Sequence, residues 1–420
     1  MSMRVLLSVS AVGLFLGVAA PAAAQCHPDG DVEFICGPVS PEDLVLVPDS
    51  PWVIAAGMED DGYLYAIDRR DLSVVSLFPS ASYRAKPDPL YSGCSRMVTG
   101  GFRPHGLSLR AGAGGRHTLY VVRHGAREAI EVFELNARPG VPALTWQGCA
   151  EAPDGVTFNS VTALPEQGFA ATHFNRPEGE LWEWAPGDGW TEVPGSTWNG
   201  PNGLVSSPDG AWFYIGGWGT NSLVRLSRGR TPVEVDTVEV GFHIDNVRWA
   251  PDGSLLAAGH HWDDDAALGR CLQQGDCDGV TSRVARVDPE TLSAEEIVRY
   301  PSNDYFLFGT VGLQVGGEIW VGSIAGSNRL ARFRRSLPAA TRNGGTSDRV
   351  PPARPDPWWH RHRDDHHARP LLHPGGLPAG RGDPGSSTGA APLRRARCRS
   401  CLLYTSDAAD EGLGVDLGGR

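Results

Sequence analysis

The sequence predicts an all-β fold, a six-bladed β-propeller. Six times along the chain a polar residue opens a short apolar strand, and a second strand begins about ten residues later. The units start at intervals of roughly 40 to 65 residues, which is typical of four-stranded propeller blades with loops of variable length. The six opening positions are Glu42, His105, Asn159, Asn202, Asp245 with Asn246, and Thr310.

Each unit contains three recognisable strands. The first strands are EDLVLV, HGLSLR, NSVTAL, NGLVSS, DNVRWA and GTVGLQ. The second strands are WVIAAG, TLYVVRH, GFAATHF, WFYIGGW, SLLAAGHH and EIWVGS. The third strands, LYAID, IEVFEL, LWEW, LVRL, VARV and LARF, alternate apolar and polar residues as half-buried strands do. Turn sequences such as Ser-Pro-Asp-Gly at 207–210 separate the strands.

Length and charge limit the domain organisation and the class of partner. The chain has 420 residues, a formal net charge of -12 and 41% hydrophobic residues. One propeller of about 300 residues plus terminal segments fits this length. A chain this acidic offers no basic surface for nucleic acid, so we expect no nucleic-acid partner.

The first 24 residues are typical of a signal peptide. Arg4 precedes an apolar run from Val5 to Ala20, and small residues precede Gln25. The run is short for a retained anchor, so we expect no stable membrane span after cleavage and a periplasmic or secreted protein. A lipid anchor at Cys26 is the weaker alternative.

Export permits disulfide bonds between the six cysteines that precede the tail. Cys271 and Cys277 are the predicted local pair, and the pairing of the others stays open because six cysteines allow fifteen combinations. The remaining four are Cys26, Cys36, Cys94 and Cys149.

From about residue 334 the chain loses strand periodicity. We therefore divide it into a signal peptide over 1–24, a propeller over 25–335 and a non-native-looking or disordered tail over 336–420. The histidines at 360–367 and the pair Cys398 and Cys401 lack zinc-like spacing and a scaffold, so we reject a metal site there. The ending CRSCLLYTSDAADE resembles translated sequencing adapter, which suggests a frameshift near residue 334 and loss of the closing strand.

The innermost strands of a propeller line its central channel, so residues that open those strands face one another across the axis. Any one Asn or Asp there is more simply a turn former, but six together indicate a shared site. Carboxylates and amide carbonyls are the oxygen donors that Ca²⁺ prefers, whereas zinc favours His or Cys. The predicted calcium ligands are Glu42, Asn159, Asn202, Asp245 and Asn246. From these residues alone, a structural and a catalytic ion are equally well supported.

Histidines near the same rim favour catalysis. His105 opens the second inner strand, and His124 ends the strand beside it. An imidazole next to a polarised carbonyl is a plausible general base, because its ordinary pKa lies near neutrality. His243, His260 and His261 fall close to the same end of the channel by the same strand logic.

The ordered motifs resemble those of the paraoxonases, which are calcium-dependent six-bladed propeller lactonases and arylesterases. FRPHGLS followed by LYVVRHGAREAIEVFEL is similar to the family's Pro-His-Gly-Ile-Ser strand and its LLVVNH and VEVF strands. Further similar pieces are PEDL, FNSV, NGL with SPDG, and IDN. The resemblance covers roughly residues 38 to 333 and sits within a wider group that includes gluconolactonases and strictosidine synthases.

The resemblance implies roles for individual residues. The same five oxygen donors correspond to the catalytic calcium site, and His105 with His124 corresponds to the family's proposed histidine dyad. A second, buried calcium would use Asp43 and the carbonyl of Leu107, but Ser160 stands where the family has an Asp, which makes that ion doubtful. Possible pocket residues are His243, His261 and Thr310.

We expect hydrolysis of a lactone or an aryl ester, with Ca²⁺ polarising the carbonyl and His105, relayed by His124, activating water. Direct attack by an activated water, with His105 only positioning the substrate, stays open. So do a gluconolactonase-like sugar lactonase and a non-hydrolytic, strictosidine-synthase-like or ligand-binding propeller.

Overall fold

The protein is described here by a computed structural model covering residues 26–334, apart from residues 82, 139, 304, 325 and 326. This part of the chain forms six sheets that follow one another in sequence, so the predicted six-bladed propeller is confirmed. The predicted signal peptide at 1–24 and the predicted tail at 336–420 lie outside the described residues. The rejected metal site in that tail lies outside them as well.

The blades are numbered in chain order, and the strands of each are given from the channel outwards. The first blade contains β2 (Pro41–Leu46), β3 (Trp52–Gly57), β4 (Leu64–Asp68) and β5 (Val74–Phe78). The second contains β7 (Phe102–Arg110), β8 (Arg116–Gly125), β9 (Ala129–Asn136), β10 (Ala143–Glu151) and the short β6 (Arg84–Ala85). The third contains β11 (Phe158–Ala163), β12 (Phe169–His173), β13 (Glu180–Ala185) and β14 (Gly189–Glu192).

The remaining three blades have the same order. The fourth contains β15 (Pro201–Ser206), β16 (Trp212–Gly217), β17 (Ser222–Ser227) and β18 (Val235–Glu239). The fifth contains β19 (His243–Trp249), β20 (Leu255–Trp262), β21 (Val280–Val287) and β22 (Ala294–Pro301). The sixth contains β23 (Gly309–Val315), β24 (Glu318–Ser323), β25 (Arg329–Arg334) and, from the N-terminal side, β1 (Glu33–Cys36).

Helical structure in the described residues is confined to loops. The helix α1 (Asp265–Gln274) lies between β20 and β21, and short 3-10 helices lie at Pro89–Tyr91, Ala113–Gly115 and Trp218–Thr220. The helix α1 begins where the Asp264 carboxylate accepts a hydrogen bond from the Ala267 N–H at 2.7 Å. It ends at Gly275, which has the left-handed φ of 71° that favours glycine.

The ring closes because each inner strand contacts the inner strands of both neighbouring blades, and β2 contacts β7 on one side and β23 on the other. Six apolar clusters hold the blades together, one between each consecutive pair. Between the first two blades, for example, Ile54, Phe78 and Phe102 are at most 1% exposed. The alternation of the strand sequences therefore supplies apolar faces between blades, as predicted.

The expectation that the closing strand is lost is wrong. The strand β1 pairs antiparallel with β25 and completes the sixth blade as its fourth strand. Arg332 links β1 to the sixth blade, since its guanidinium reaches Glu33 at 2.8 Å and Glu318 at 2.7 Å. The outer strand thus comes from the N-terminal segment, which lies before the first repeat unit and carries no repeat signal of its own.

Three disulfides lie in the described residues. Cys271–Cys277 is present as predicted and joins the last turn of α1 to the loop that follows it. The pairings left open by the sequence are Cys26–Cys36 and Cys94–Cys149. The first of these lies directly beside β1 and so ties down the segment that closes the ring.

A bulge interrupts every inner strand at the predicted site position. The pairing between first and second strand shifts between Pro41 and Asp43 in the first blade. The other five shifts span the pairs Pro104/Leu107, Phe158/Val161, Pro201/Leu204, Ile244/Asn246 and Gly309/Gly312. A bulge leaves residues unpaired and redirects their side chains. The repeat therefore places polar residues in the ring and also aims them differently from the rest of the strand.

Close approach of neighbouring inner strands depends on small residues in these bulges. A Cβ atom at Gly106 would lie 2.6 Å from the carbonyl oxygen of Asn159, and one at Gly203 would lie 2.5 Å from the carbonyl oxygen of Asp245. Both distances are shorter than a non-bonded contact permits. The glycine that follows the polar residue in these two blades is therefore required by packing next to the site.

Candidate metal centre

The predicted oxygen donors lie in the bulges of four inner strands, at one end of the channel. The amide nitrogen of Asn246 donates to Glu42 Oε1 at 2.5 Å. The side chain of Asn202 lies close enough to the Asp245 carboxylate to lower its pKa. Asn159 occupies the matching bulge of the third blade, and all five side chains are buried, with no residue more than 6% exposed.

Four of these five residues carry a buried oxygen that has no hydrogen-bond partner. Eight buried side-chain atoms lack a partner among the described residues, and four of the eight are Glu42 Oε2, Asn159 Oδ1, Asn202 Oδ1 and Asn246 Oδ1. An unsatisfied buried polar atom costs about 1–3 kcal/mol, so such atoms are rare and call for an explanation. Their concentration on the predicted ligands indicates a site built to receive a positive charge.

The surroundings of Glu42 and Asp245, the two acids of the candidate centre, favour their protonated forms. Burial, followed by the charges of Asp43 and Asp245, raises the pKa of Glu42 well above its ordinary value. Burial and the charge of Asp43 likewise raise the pKa of Asp245 well above its ordinary value, against a lowering contribution from Asn202. A cation between these carboxylates would oppose both shifts, because it favours the ionised form of each acid.

The donor set fits calcium. It consists of two carboxylates and three amides, which are hard oxygen ligands of the kind that Ca²⁺ takes in groups of six to eight. In the described part of the chain no three His, Cys, Asp or Glu residues gather as a cluster that could hold a metal. The site thus depends on its asparagines, and the partnerless atoms of those asparagines are carbonyl oxygens.

The predicted histidine pair adjoins the oxygen donors. His105 Nδ1 and His124 Nε2 are 2.9 Å apart, so the two rings share a hydrogen bond. His105 Nε2, the other ring nitrogen, lies 3.7 Å from Glu42 Oε1. Burial and the proximity of His124 hold the pKa of His105 well below its ordinary value, so its imidazole is neutral. A neutral imidazole with a nitrogen facing the oxygen donors can accept a proton there.

His260 and His261 are consecutive in β20, so their side chains point to opposite faces of the sheet. His260 is fully buried, and its Nδ1 lies 3.9 Å from Asp245 Oδ2. Burial and the neighbouring His243 lower its pKa to about 3. His261, the next residue, lies 3.4 Å from the exposed carboxylate of Asp263 instead. Of these two neighbours, it is therefore His260 that lies beside Asp245, one of the two acids of the candidate centre.

An aromatic group lies beside the centre. His243 stacks on Trp262 with ring centroids 4.1 Å apart, and its Nδ1 donates to the carbonyl oxygen of Trp218 at 2.7 Å. Thr310, the polar residue of the sixth blade, donates from Oγ1 to the carbonyl oxygen of Glu42 at 2.6 Å. His243 thus packs in the aromatic group beside the candidate centre, whereas Thr310 holds the backbone of Glu42, one of the predicted ligands.

The residues predicted for a second calcium are already bound to an arginine. Asp43 accepts hydrogen bonds from the N–H groups of Leu44 and Leu107, at 2.7 and 2.6 Å, and from the guanidinium of Arg248. The same guanidinium nitrogen also donates to the Leu107 carbonyl at 3.0 Å. Because a positive group already contacts both predicted ligands, these residues do not fit a second ion.

Two participants were missed in the sequence. Arg248 lies in the inner strand DNVRWA and is buried. A buried guanidinium requires buried hydrogen-bond acceptors, so an arginine in this apolar strand could have been recognised as part of the site. Glu128, in the loop between β8 and β9, accepts from His124 Nδ1 at 2.7 Å. Its only sequence signal is its spacing of four residues from His124.

No known protein family and no curated protein matches the chain in sequence. Among solved structures, the chain is similar to a candidate gluconolactonase, at 15% identity and a TM-score of 0.46, over 76% of this chain and 97% of that one. It is also similar to regucalcin, a calcium-binding protein from Agrobacterium tumefaciens, at 13% identity and a TM-score of 0.43, over 71% and 90%. A luciferin-regenerating enzyme matches at 10% identity and a TM-score of 0.44, over 72% and 94%. Likenesses this distant carry no functional conclusion, so the chemistry of the site decides.

Proposed function

We propose that the chain is an exported, calcium-dependent hydrolase of lactones or aryl esters. The observation that carries this proposal is the set of four partnerless oxygens on the predicted ligands, together with the buried histidine pair beside Glu42. The resemblance of residues 38 to 333 to the paraoxonases supports the same conclusion. The strain on the two buried acids supports a cation at the site in particular.

The proposed ligands are the five oxygen donors of the first, third, fourth and fifth blades. When bound there, calcium supplies Lewis acidity towards a substrate carbonyl and stabilises the oxyanion that develops on it. The buried amide of Asn246 holds the Glu42 carboxylate in place through a hydrogen bond, and the side chain of Asn202 favours the ionised form of Asp245. The ligand set is thus organised before substrate arrives.

His105 is the proposed general base. Its Nε2 faces the oxygen donors and accepts a proton from the attacking water as the water oxygen bonds to the carbonyl carbon. The acyl carbon–oxygen bond of the ester or lactone then breaks, and the departing oxygen takes the proton from His105. His124 holds the ring of His105 through the 2.9 Å hydrogen bond. The low pKa of His105 keeps its nitrogen free to accept a proton at neutral pH.

The reaction class is tested with the purified chain on three substrate types: aryl esters, acyl lactones and gluconolactone. Each is measured with calcium, after chelation, and after calcium is restored. We expect turnover of aryl esters or acyl lactones that is lost on chelation and recovered with calcium. Preference for gluconolactone would indicate a sugar lactonase. Calcium binding without turnover of any substrate would contradict a hydrolase and indicate a binding propeller.

The base is tested with His105→Gln, which keeps a polar side chain but removes the basic nitrogen. We expect kcat to fall by about 100-fold or more, the usual contribution of general acid–base catalysis, while calcium still raises the unfolding temperature. A kcat equal to that of the wild type at every pH would rule out His105 as an obligatory base.

Export is proposed from the signal-like N-terminus and the three disulfides, because disulfides persist in oxidising compartments. The described residues contain no helix long and apolar enough to cross a membrane. Expression of the full chain in a bacterium with a periplasm should yield a mature protein that begins at Gln25. An uncleaved chain retained in the cytoplasm would contradict export.

A further inference from the structure

We infer that Glu128 is a positioning residue for the histidine pair: its carboxylate selects the tautomer of His124 and, through it, the nitrogen of His105 that is free to act as a base. This inference rests on the proposed function for its catalytic consequence. Its structural content, a tautomer selected by Glu128, stands independently of any reaction.

The contacts form one continuous chain from the loop to the oxygen donors. Glu128 Oε2 lies 2.7 Å from His124 Nδ1, and His124 Nε2 lies 2.9 Å from His105 Nδ1. His105 Nε2 then faces Glu42 Oε1 at 3.7 Å. Both histidines are less than 10% exposed, so water does not supply alternative partners along most of this path.

The direction of each hydrogen bond follows from the first one. An ionised carboxylate only accepts, so His124 Nδ1 must carry the proton it donates to Glu128. With one proton on each ring, His124 then has a bare Nε2, which accepts from His105 Nδ1–H. A neutral His105 is consequently bare at Nε2, the atom that faces the oxygen donors. The carboxylate thus determines where the basic lone pair lies, two side chains away.

Without the carboxylate, the opposite arrangement becomes available. His124 could carry its proton on Nε2 and donate to a bare His105 Nδ1, and His105 Nε2 would then be protonated. That arrangement cannot accept a proton at the position where the water would be activated. The role of Glu128 is to exclude it, as outer partners of functional histidines commonly do.

The hairpin of β8 and β9 contains a second acid close to Glu128, but that acid is already bound to other side chains. Glu131, three residues further on, is fully buried and occupied by Arg123 at 3.0 Å, Arg127 at 2.6 Å and the Trp146 indole N–H at 2.7 Å. Glu128 itself sits in the loop, with its side chain 34% exposed. Its replacement therefore removes one hydrogen bond without opening a cavity in the core.

The tautomers are read directly by nitrogen-15 NMR of the imidazole rings in the calcium-free protein. We expect protonated Nδ1 and bare Nε2 on both His105 and His124 in the wild type. In Glu128→Ala, the protonated position should move to Nε2 on both rings. Glu128→Gln, whose carbonyl oxygen can still accept from His124 Nδ1, should keep the wild-type pattern. The matched control is Glu178→Ala, an exposed acid in the corresponding loop of the third blade.

Activity is measured in the calcium-loaded protein. Glu128→Ala should lower kcat by about 10- to 100-fold with little change in KM or in calcium affinity, the usual effect of removing an outer partner. Glu128→Gln should retain most of kcat, and Glu178→Ala should match the wild type. A surface ion pair with no functional role would leave kcat unchanged.

Unchanged imidazole tautomers in Glu128→Ala would overturn the inference even if the protein is an active hydrolase. Changed tautomers together with unchanged kcat would overturn its catalytic part. If the wild type hydrolyses none of the substrates, the proposed function fails, and the NMR result still decides whether Glu128 selects the tautomer.

Discussion

Glu42 and Asp43 are adjacent in β2, and both are almost completely inaccessible, with exposures of 1% and 0%. Asp43 is saturated by two backbone N–H groups and the guanidinium of Arg248. Glu42 has an amide on one oxygen and no partner on the other. Two neighbouring buried acids thus differ in their partners: Asp43 contacts a positively charged side chain of the same chain, whereas one oxygen of Glu42 has no partner.

The difference shows how one channel can hold a permanent ion pair beside acids that lack a positive partner. The guanidinium of Arg248 gives Asp43 a permanent positive partner, so the Asp43 end of the site does not need a bound ion. Burial raises the pKa of Asp43, while Arg248 and the two N–H groups oppose that rise. The Glu42 end retains the electrostatic strain that a bound ion would relieve. We therefore expect calcium to affect the Glu42 end alone, and three predictions test this division.

The largest expected effect is on the calcium side. Asp245→Ala removes one of the two acids, and Asn202→Ala removes the amide that lowers the pKa of that acid. Each should abolish detectable hydrolysis and the rise in unfolding temperature on adding calcium. Replacing an outer partner already weakens metal binding by about 10- to 100-fold, so loss of a ligand should exceed that. Calcium-dependent stabilisation that survives in both variants would refute the assigned ligands.

Arg248→Met tests the Asp43 end of the site. It leaves Asp43 buried without its cation, which should lower the free energy of unfolding by about 3–5 kcal/mol. Denaturant unfolding should show the same loss with and without calcium. The double variant Arg248→Met with Asp43→Asn removes the unpaired charge and should recover part of the stability. Full rescue of Arg248→Met by calcium alone would contradict the division, because calcium would then replace the guanidinium.

The smallest expected effect lies between the two sides. Thr310→Val removes the 2.6 Å hydrogen bond to the carbonyl of Glu42 without changing side-chain size much. We expect a loss of about 1–3 kcal/mol in unfolding free energy, with a modest fall in calcium affinity and no change in substrate preference. Isothermal titration with calcium and thermal unfolding measure both. A complete loss of calcium binding would show that Thr310 has a larger role than holding the backbone.

The repeat explains what could be predicted from the sequence. Because one polar residue recurs at the same place in each unit, blade number, strand order and the location of the oxygen donors follow together, and the bulges at those positions agree. The features that were not predicted from the sequence do not recur from blade to blade. The strand β1 pairs with a segment about 300 residues away, and α1 interrupts a single rim loop. Arg248 and Glu128 each occur in one blade, and their partners are apparent only once neighbouring strands are in place.

The most direct test of the account is a calcium titration of the metal-free chain by isothermal calorimetry, with Asp245→Ala and Arg248→Met beside the wild type. We predict one equivalent of calcium per wild-type chain, none for Asp245→Ala, and one for Arg248→Met if it remains folded. Two equivalents in the wild type would contradict the assignment of Arg248 as the resident cation. No binding at all would contradict the central claim that the partnerless oxygens around Glu42 form a calcium site.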